Sequence, residues 1–192
     1  ETYPLKTPSG KIEIFSERVA AFGYKEAPGF PFWNEPKEWL GRPANDHRLH
    51  LISNQPANKL HSQLDHGRYS RTFKINGREP VLINPEDAVS RGIQDGALVR
   101  VYSPRGSCLC TAVLSEDIRS GVLQLNTGAW YNPPSDDTSG VSCLHGNPNV
   151  LTRDEGTSRL AQGPSAMSCL VDVEVYKGEA PGVTVFTPPT VR

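Results

Sequence analysis

Short runs of alternating apolar and polar residues, separated by Gly and Pro turns, limit the fold of this chain most strongly. The clearest pair covers 97–103 and 107–114, with Pro104 to Gly106 between them, and predicts a β-hairpin. Further strands are predicted at 11–15, 48–53, 79–84, 122–126 and 169–176. About seven short strands with regular turn signals are typical of a closed or nearly closed β-barrel with helical connections.

Helical signals are brief and lie between these runs. Asn84 precedes a proline, and Gly92 follows the apolar pattern, which predicts a helix over 85–91 with Asn84 as its N-cap. Ser16 and Gly23 give similar signals for a helix over 16–22, and 115–119 is expected to form one helical turn. A short helix starting at His61 would favour a phosphate at its N-terminus, but a helix cap without a ligand has the same sequence.

Charge and hydropathy exclude several classes of partner. The 192 residues include 20 Lys and Arg against 21 Asp and Glu, for a formal net charge of -1. This balance creates no global field that would attract nucleic acid or an anionic membrane. No apolar run reaches the roughly 20 residues of a transmembrane helix, and the chain starts without a signal-peptide pattern. We therefore expect a soluble piece of a longer protein.

Cysteine and histidine positions do not predict a metal or disulfide framework. The four cysteines, at 108, 110, 143 and 169, are too few for a disulfide scaffold in a chain of this length. Cys108 and Cys110 share one face of a predicted strand, and we expect buried, reduced thiols. The histidines are scattered singly, so no metal site is predicted.

Composition also divides the chain into an arm, a barrel and a tail. Residues 27–43 combine four prolines with Phe30, Phe32, Trp33 and Trp39, which opposes helix formation and indicates an extended arm packed on another surface. The predicted arm, with its short strand and helix, covers 1–46, and the barrel covers 47–177. Residues 178–192 are expected to be a loosely held tail.

Three polar loops follow predicted strands, as ligand-binding loops of barrel proteins do. They cover 53–67, 127–134 and 145–163. Their Asn, Gln, Asp, Ser and Thr side chains offer donors and acceptors that suit heterocycle edges and phosphates. A surface loop braced by Asx turns would have the same composition.

Two motifs in this chain resemble a known family. Asn84-Pro-Glu-Asp-Ala88 and Gly92-Ile-x-Asp-Gly96-x-x-Val-x-Val101 are similar to the core of the molybdopterin-dinucleotide-binding domain, the C-terminal barrel of the dimethyl sulfoxide reductase family. Ala97 is a departure, because that family often has a second Asp there, at a position that shapes a turn.

Further motifs resemble one subgroup, the reductases of biotin sulfoxide, trimethylamine N-oxide, dimethyl sulfoxide and methionine sulfoxide. The resemblance extends from Thr7 to Tyr176. The motifs lie at 60–67, 77–80, 128–131, 145–152 and 156–163.

The resemblance implies a mainly β fold with short helices, a six-stranded double-psi β-barrel of the aspartate-decarboxylase-like type. It also implies the function of a domain that holds the pterins of bis(molybdopterin guanine dinucleotide) in a molybdenum-dependent S-oxide or N-oxide reductase. The remaining domains of that reductase would be its partners and would supply the molybdenum ligand. We therefore expect no catalytic residue and no turnover in this chain alone, with an open cofactor pocket and mobile loops.

The candidate cofactor-binding residues all lie in two of the polar loops. For the pterin, amide and carboxylate partners are expected, and for the pyrophosphate and dithiolene, hydroxyl, amide, imidazole and ammonium donors. Tyr131 is a candidate for the substrate approach, with packing against another domain as the alternative. The candidates are Ser53, Asn54, Gln55, Lys59, Leu60, His61, Ser62, Gln63, His145, Asn147, Asn149, Asp154, Thr157, Ser158 and Gln162.

Two other functions remain as alternatives. A stand-alone double-psi barrel could serve as a binding or protein-interaction module, with the aromatic arm from Phe30 to Trp39 as its contact surface. A pyruvoyl-type decarboxylase on a similar barrel would need a self-cleaving Gly-Ser pair, for which Gly106-Ser107 is the candidate.

Overall fold

Six strands and a few short helices make up the regular structure of the computed structural model, which describes residues 3–41, 48–135 and 140–188. The strands are β1 Leu49–Ile52, β2 Pro80–Ile83, β3 Leu98–Ser103, β4 Gly106–Leu114, β5 Val122–Leu125 and β6 Leu170–Val175. The helices are α1 Glu17–Ala20, α2 Arg68–Arg71 and α3 Pro85–Ser90, with a 3-10 helix at Pro148–Val150. None of the helices in the described ranges has the length and apolar character needed to cross a membrane.

The strands close into a barrel in the order β1-β5-β2-β4-β3-β6. β1 pairs with β5 and β2 with β4 in parallel, whereas the other four neighbours are antiparallel. The β3–β4 hairpin predicted from the alternating runs is present, with Val99 opposite Cys110. The predicted six-stranded double-psi barrel is thus confirmed.

Alternate residues of the strands point into the barrel and exclude water from its core. Leu51, Val81, Ile83, Val99 and Leu123 are fully buried members of this core. Burying a side chain of this size stabilises the fold by about 1.5–3 kcal/mol. The period-two pattern therefore reports the internal face of β1, β2, β3 and β5, whereas β4 is buried on both faces from Ser107 to Ala112.

The cysteines belong to the same core. Cys108 and Cys110 lie on β4 with their Sγ atoms 3.8 Å apart, and all four cysteines are free and buried, as expected. Burial raises the pKa of the Cys110 thiol well above its usual value. These thiols pack as small apolar groups.

Local cap chemistry correctly locates two of the helices. The Ser16 Oγ accepts a hydrogen bond from Val19 N at 3.3 Å, at the start of α1. Asn84 Oδ1 accepts from Glu86 N at 2.9 Å, at the start of α3. Each side chain satisfies an N–H group that the first helical turn leaves without a partner.

Three local predictions are wrong. Residues 11–15 do not form a strand, and Ile12 and Ile14 are 83% and 76% exposed, because an alternating run becomes a strand only beside a partner strand. The turn at 115–119 is not helical, and neither is the segment at His61, where Leu60 and Gln63 form an isolated antiparallel bridge.

The expectation of a loosely held tail is also wrong for residues 181–187. Asn132 Oδ1 accepts hydrogen bonds from Thr184 N at 2.9 Å and Val185 N at 3.1 Å. Phe186 packs edge-on against the ring of His145, with 5.0 Å between the centroids. The anchor is Asn132, which lies 52 residues before Thr184. The sequence of the tail itself therefore has no pattern that would predict this contact.

The chain groups into two compact units. The first combines Glu1–Lys37 with Asp154–Ser165, and the second combines Glu38–Arg153 with Ala166–Arg192. The second unit contains the barrel, whereas the domain boundaries predicted after residues 46 and 177 stay a prediction. Residues 1, 2 and 42–46 of the predicted arm, and residue 47 at the start of the predicted barrel, lie outside the described residues.

Candidate functional site

A cleft of about 720 Å³ opens in the second unit, where three loops and the C-terminal tail meet. Its volume is in the usual range for small-molecule and cofactor sites. The lining residues are His61, Ser62, Thr127, Gly128, Ala129, Trp130, Tyr131, Asn147, Asn149 and Val185. Five of the sequence-predicted residues are brought together there: His61, Ser62, Asn147, Asn149 and Tyr131.

The first wall is the loop that follows β1. The Gln55 amide braces it, because Nε2 donates to Lys59 O at 2.5 Å and Oε1 accepts from His61 N at 3.2 Å. His61 and Leu64 have φ angles of 50° and 66°, a left-handed conformation that costs non-glycine residues about 1–3 kcal/mol each. The loop holds His61 in a strained position at the cleft, although a glycine would adopt this φ more easily.

The second wall is the loop that follows β5. Gly128 has a φ of 90°, and a Cβ at this residue would lie 1.7 Å from the carbonyl oxygen of His61. Thr127 N donates to Asn54 O at 3.0 Å. Only a residue without a side chain allows the two loops to approach this closely.

The third wall starts at His145. Its Nδ1 lies 3.0 Å from Trp130 O, and a carbonyl oxygen only accepts, so Nδ1 carries the proton. Burial and, after it, the charge of Lys74 lower the pKa of His145, which keeps the ring neutral. Asn147 then caps the 3-10 helix, with its Oδ1 accepting from Asn149 N at 2.9 Å.

A buried cluster of four charges lies behind the first two walls. Asp65 Oδ1 accepts from Lys59 at 2.9 Å and from Lys74 at 2.8 Å, and Glu79 Oε1 accepts from both ammonium groups as well. The side chains are at most 4% exposed. Removing one partner from such a pair typically costs about 3–5 kcal/mol, because a charge is left buried without a counter-ion.

Asp65 remains ionised in this cluster. Burial opposes ionisation, but hydrogen bonds from Lys74, Lys59 and the Trp130 amide outweigh it and hold the pKa of Asp65 below its usual value. Asp65, Lys74 and Glu79 were not predicted as site residues. Loop carboxylates and lysines carry no periodic signal, so sequence reasoning could not show that they meet.

Lys59 differs most from its predicted environment. It was expected to offer its ammonium to a pyrophosphate or dithiolene, whereas its side chain is 1% exposed and pairs with Asp65 and Glu79. Gln55 braces the loop, and His145 is fully buried. Leu60 and Gln63 are exposed beside His61, and Ser53 is half-buried.

The other four predicted residues lie in the first unit. Loop 155–165 is bonded to itself: Thr157 N donates to Gly163 O at 2.8 Å, and Gln162 Nε2 donates to Ser158 O at 2.9 Å. Asp154 is exposed, and Thr157 Oγ1 donates to Ala161 O at 2.9 Å. The predicted loop 145–163 is therefore divided between two units, and its second half forms a closed turn.

Two buried amide oxygens beside the cleft suit a ligand that is rich in N–H groups. Among the described residues, the buried Oδ1 atoms of Asn54 and Asn126 have no hydrogen-bond partner. They follow β1 and β5, where Ile52 lies opposite Gln124 in parallel register, so the two amides end neighbouring strands beside the cleft-lining Thr127. An unsatisfied buried acceptor costs about 1–3 kcal/mol, and a heterocycle with N–H donors fits this requirement.

Ser107 gives the decarboxylase alternative no support. It is 4% exposed on β4, where its Oγ donates to Gly140 O at 3.0 Å. Among the described residues, no group of three or more His, Cys, Asp or Glu side chains could hold a metal ion.

The model of a molybdopterin-binding domain family matches the barrel. Residues 49–170 match the molydopterin dinucleotide binding domain, and this chain belongs to that family. The match covers the barrel from β1 to the start of β6.

Named relatives share nearly the whole chain. Trimethylamine-N-oxide reductase of Haemophilus influenzae is 48% identical over 97% of this chain and 23% of the relative. Biotin sulfoxide reductase of Cereibacter sphaeroides is 46% identical over 93% of this chain and 23% of the relative. The chain thus spans about a quarter of the length of these reductases.

A solved structure shows the same fold. Acetylene hydratase from Pelobacter acetylenicus superposes with a TM-score of 0.69 at 18% identity, over 88% of this chain and 24% of that protein. At this identity the likeness supports the barrel fold alone.

Proposed function

We propose that this chain is the part of a longer S-oxide or N-oxide reductase that holds the pterins of bis(molybdopterin guanine dinucleotide). The observation that carries the proposal is the cleft at the ends of β1 and β5, with amide groups on its walls and unsatisfied amide oxygens beside it. The relatives named trimethylamine-N-oxide reductase and biotin sulfoxide reductase support the reaction class. The remaining three quarters of such a protein would supply the other cofactor contacts.

The cleft residues have different chemical roles in this proposal. Asn147 and Asn149 offer amide donors and acceptors to the edge of a pterin, and Ser62 and His61 offer donors to its phosphate side. Tyr131, 55% exposed at the cleft, lies at the substrate approach. When bound, the molybdenum centre supplies oxygen-atom transfer and redox chemistry, while the protein binds, orients and shields it.

Two neutral loops hold the cofactor mainly by geometry. His145 remains neutral because burial lowers its pKa, and the four buried charges sum to zero. The cleft therefore does not depend on a field of positive charge.

The test is cofactor content in the full-length reductase that contains this chain. The double variant Asn147→Ala/Asn149→Ala should retain about fivefold to 150-fold less molybdopterin, because the two lost hydrogen bonds together contribute about 1–3 kcal/mol. Molybdenum by mass spectrometry and pterin by fluorescence after extraction measure it. Gln94→Ala, an exposed amide outside the cleft lining, is the control.

Exposed aromatic rings in the first unit support the second candidate function, a protein-interaction module. Phe30 and Phe32 are 49% and 55% exposed. Unchanged molybdopterin content in the double variant would favour this candidate over the cofactor domain.

A further inference from the structure

We propose that Asp65 is a positioning residue that sets the spacing between the first two walls of the cleft. The inference rests on the proposed function, because it concerns how the same cleft holds its cofactor. Asp65 is fully buried and does not line the cleft. It acts through Ser62 on one side and Trp130 on the other.

The two oxygens of Asp65 have separate partners. Oδ1 accepts from the ammonium groups of Lys59 and Lys74, at 2.9 and 2.8 Å. Oδ2 accepts from the backbone N–H of Trp130 at 3.0 Å. One carboxylate therefore connects the base of the first loop to the second loop.

Trp130 is held from three directions. In addition to Asp65, its indole Nε1 donates to Ser62 O at 2.7 Å, and its own carbonyl oxygen accepts from Nδ1 of His145 at 3.0 Å. These bonds fix the distance between Ser62 on the first wall and Trp130 on the second wall. They also connect both to the residue that starts the third wall.

The strained backbone of the first loop indicates that the contacts around it hold its residues in a particular position at a cost in stability. His61 and Leu64, on either side of the Ser62 contact, have left-handed backbone angles. Such conformations persist where the surrounding structure over-determines them. The buried charges supply this constraint directly next to the cleft.

Glu79 provides a comparison within the same cluster. Its Oε1 accepts from the same two lysines, and it is similarly buried, but its side chain makes no hydrogen bond to Trp130. Asp65→Asn and Glu79→Gln therefore remove the same charge at the same place. Asn also has only one acceptor oxygen, so it cannot serve both the lysines and the Trp130 amide, whereas Gln at 79 needs to serve only the lysines.

The experiment compares these two variants in the full-length reductase. We expect both to lower the melting temperature, but Asp65→Asn to retain about tenfold less molybdopterin per folded molecule, as outer-shell substitutions typically do, and to shift the Mo(V) paramagnetic resonance spectrum. Glu79→Gln is expected to change both readouts far less. Equal cofactor content and equal spectra in the two variants would overturn the positioning role.

A milder variant covers the case in which neither protein folds. Trp130→Phe removes the indole donor to Ser62 O and keeps an aromatic ring. Because Trp130 also lines the cleft, reduced cofactor content supports the proposal only together with faster hydrogen exchange at 61–64 in the cofactor-free protein, and unchanged exchange at these amides overturns it. A reductase in which Asn147→Ala/Asn149→Ala also has no effect would instead show that the proposed cofactor cleft itself is wrong.

Discussion

At the scale of single residues, the shape of the cleft depends on one glycine, which has no side chain, and on two buried side chains. Gly128 allows the His61 carbonyl to approach, and Asp65 and His145 hold Trp130 from behind. Of the loop residues predicted from their polar character, His61, Ser62, Asn147 and Asn149 line the cleft. The shape of the cleft therefore depends partly on buried side chains, those of Asp65 and His145, that do not line it.

The contact at Gly128 predicts a large cost for adding a methyl group. Gly92→Ala introduces a left-handed alanine into open space, at an expected cost of about 1–2 kcal/mol. Gly128→Ala has a similar conformational penalty and also meets the His61 carbonyl, for which overpacking adds about 1–3 kcal/mol. Urea unfolding of the two variants measures the difference, and equal midpoints would contradict the close approach.

At the scale of elements, short local signals place helices and strands, but not the tail. The caps at Ser16 and Asn84 and the period-two runs describe neighbours in the chain. Residues 181–187 have no such pattern, and their place depends on the buried amide of Asn132. A segment without its own periodicity is thus ordered by a distant side chain.

Asn132→Ala is predicted to release the tail. The change leaves Thr184 N and Val185 N without their acceptor, and each lost partner costs about 1–3 kcal/mol if it stays buried, so the segment should open instead. Hydrogen exchange should increase at 183–187 and remain unchanged in β3. Asn34→Ala, which removes an exposed hydrogen bond to Glu26 O, is the control; continued protection of the tail in Asn132→Ala would refute the anchor.

At the scale of the whole molecule, the buried titratable groups make the stability of the fold depend on pH. The pKa of His145 is lowered from 6.5, chiefly by burial, so the unfolded chain binds the proton more readily than the folded one. The pKa of Asp65 is lowered from 3.8, because its hydrogen bonds outweigh the opposing effect of burial. Acid therefore favours unfolding through both groups.

The pH dependence has two expected stages. The contribution of His145 is fully present above its usual pKa of 6.5 and is lost as the pH falls toward its lower folded value; that of Asp65 is lost only below 3.8. Chemical denaturation across this range measures both losses. His145→Gln should remove the first stage and keep the second. If the free energy of unfolding of the variant and of the unsubstituted protein instead changed in parallel with pH, the assignment of the first stage to His145 would be wrong.

The sequence by itself determined the barrel, the main strands, the caps of α1 and α3 and the family. These depend on alternation, on cap chemistry and on motifs, all of which are properties of neighbouring residues. It failed at 11–15, where alternation occurs without a partner strand.

Only the tertiary structure decided which polar groups form the cleft and which support it. Lys59 and Asn147 are both polar loop residues, yet one pairs with buried carboxylates and the other lines the cleft. The physical reason is that burial and ion pairing depend on loops brought together by closure of the barrel. Asp65 and Trp130, 65 positions apart, are partners because their loops follow β1 and β5, which pair side by side.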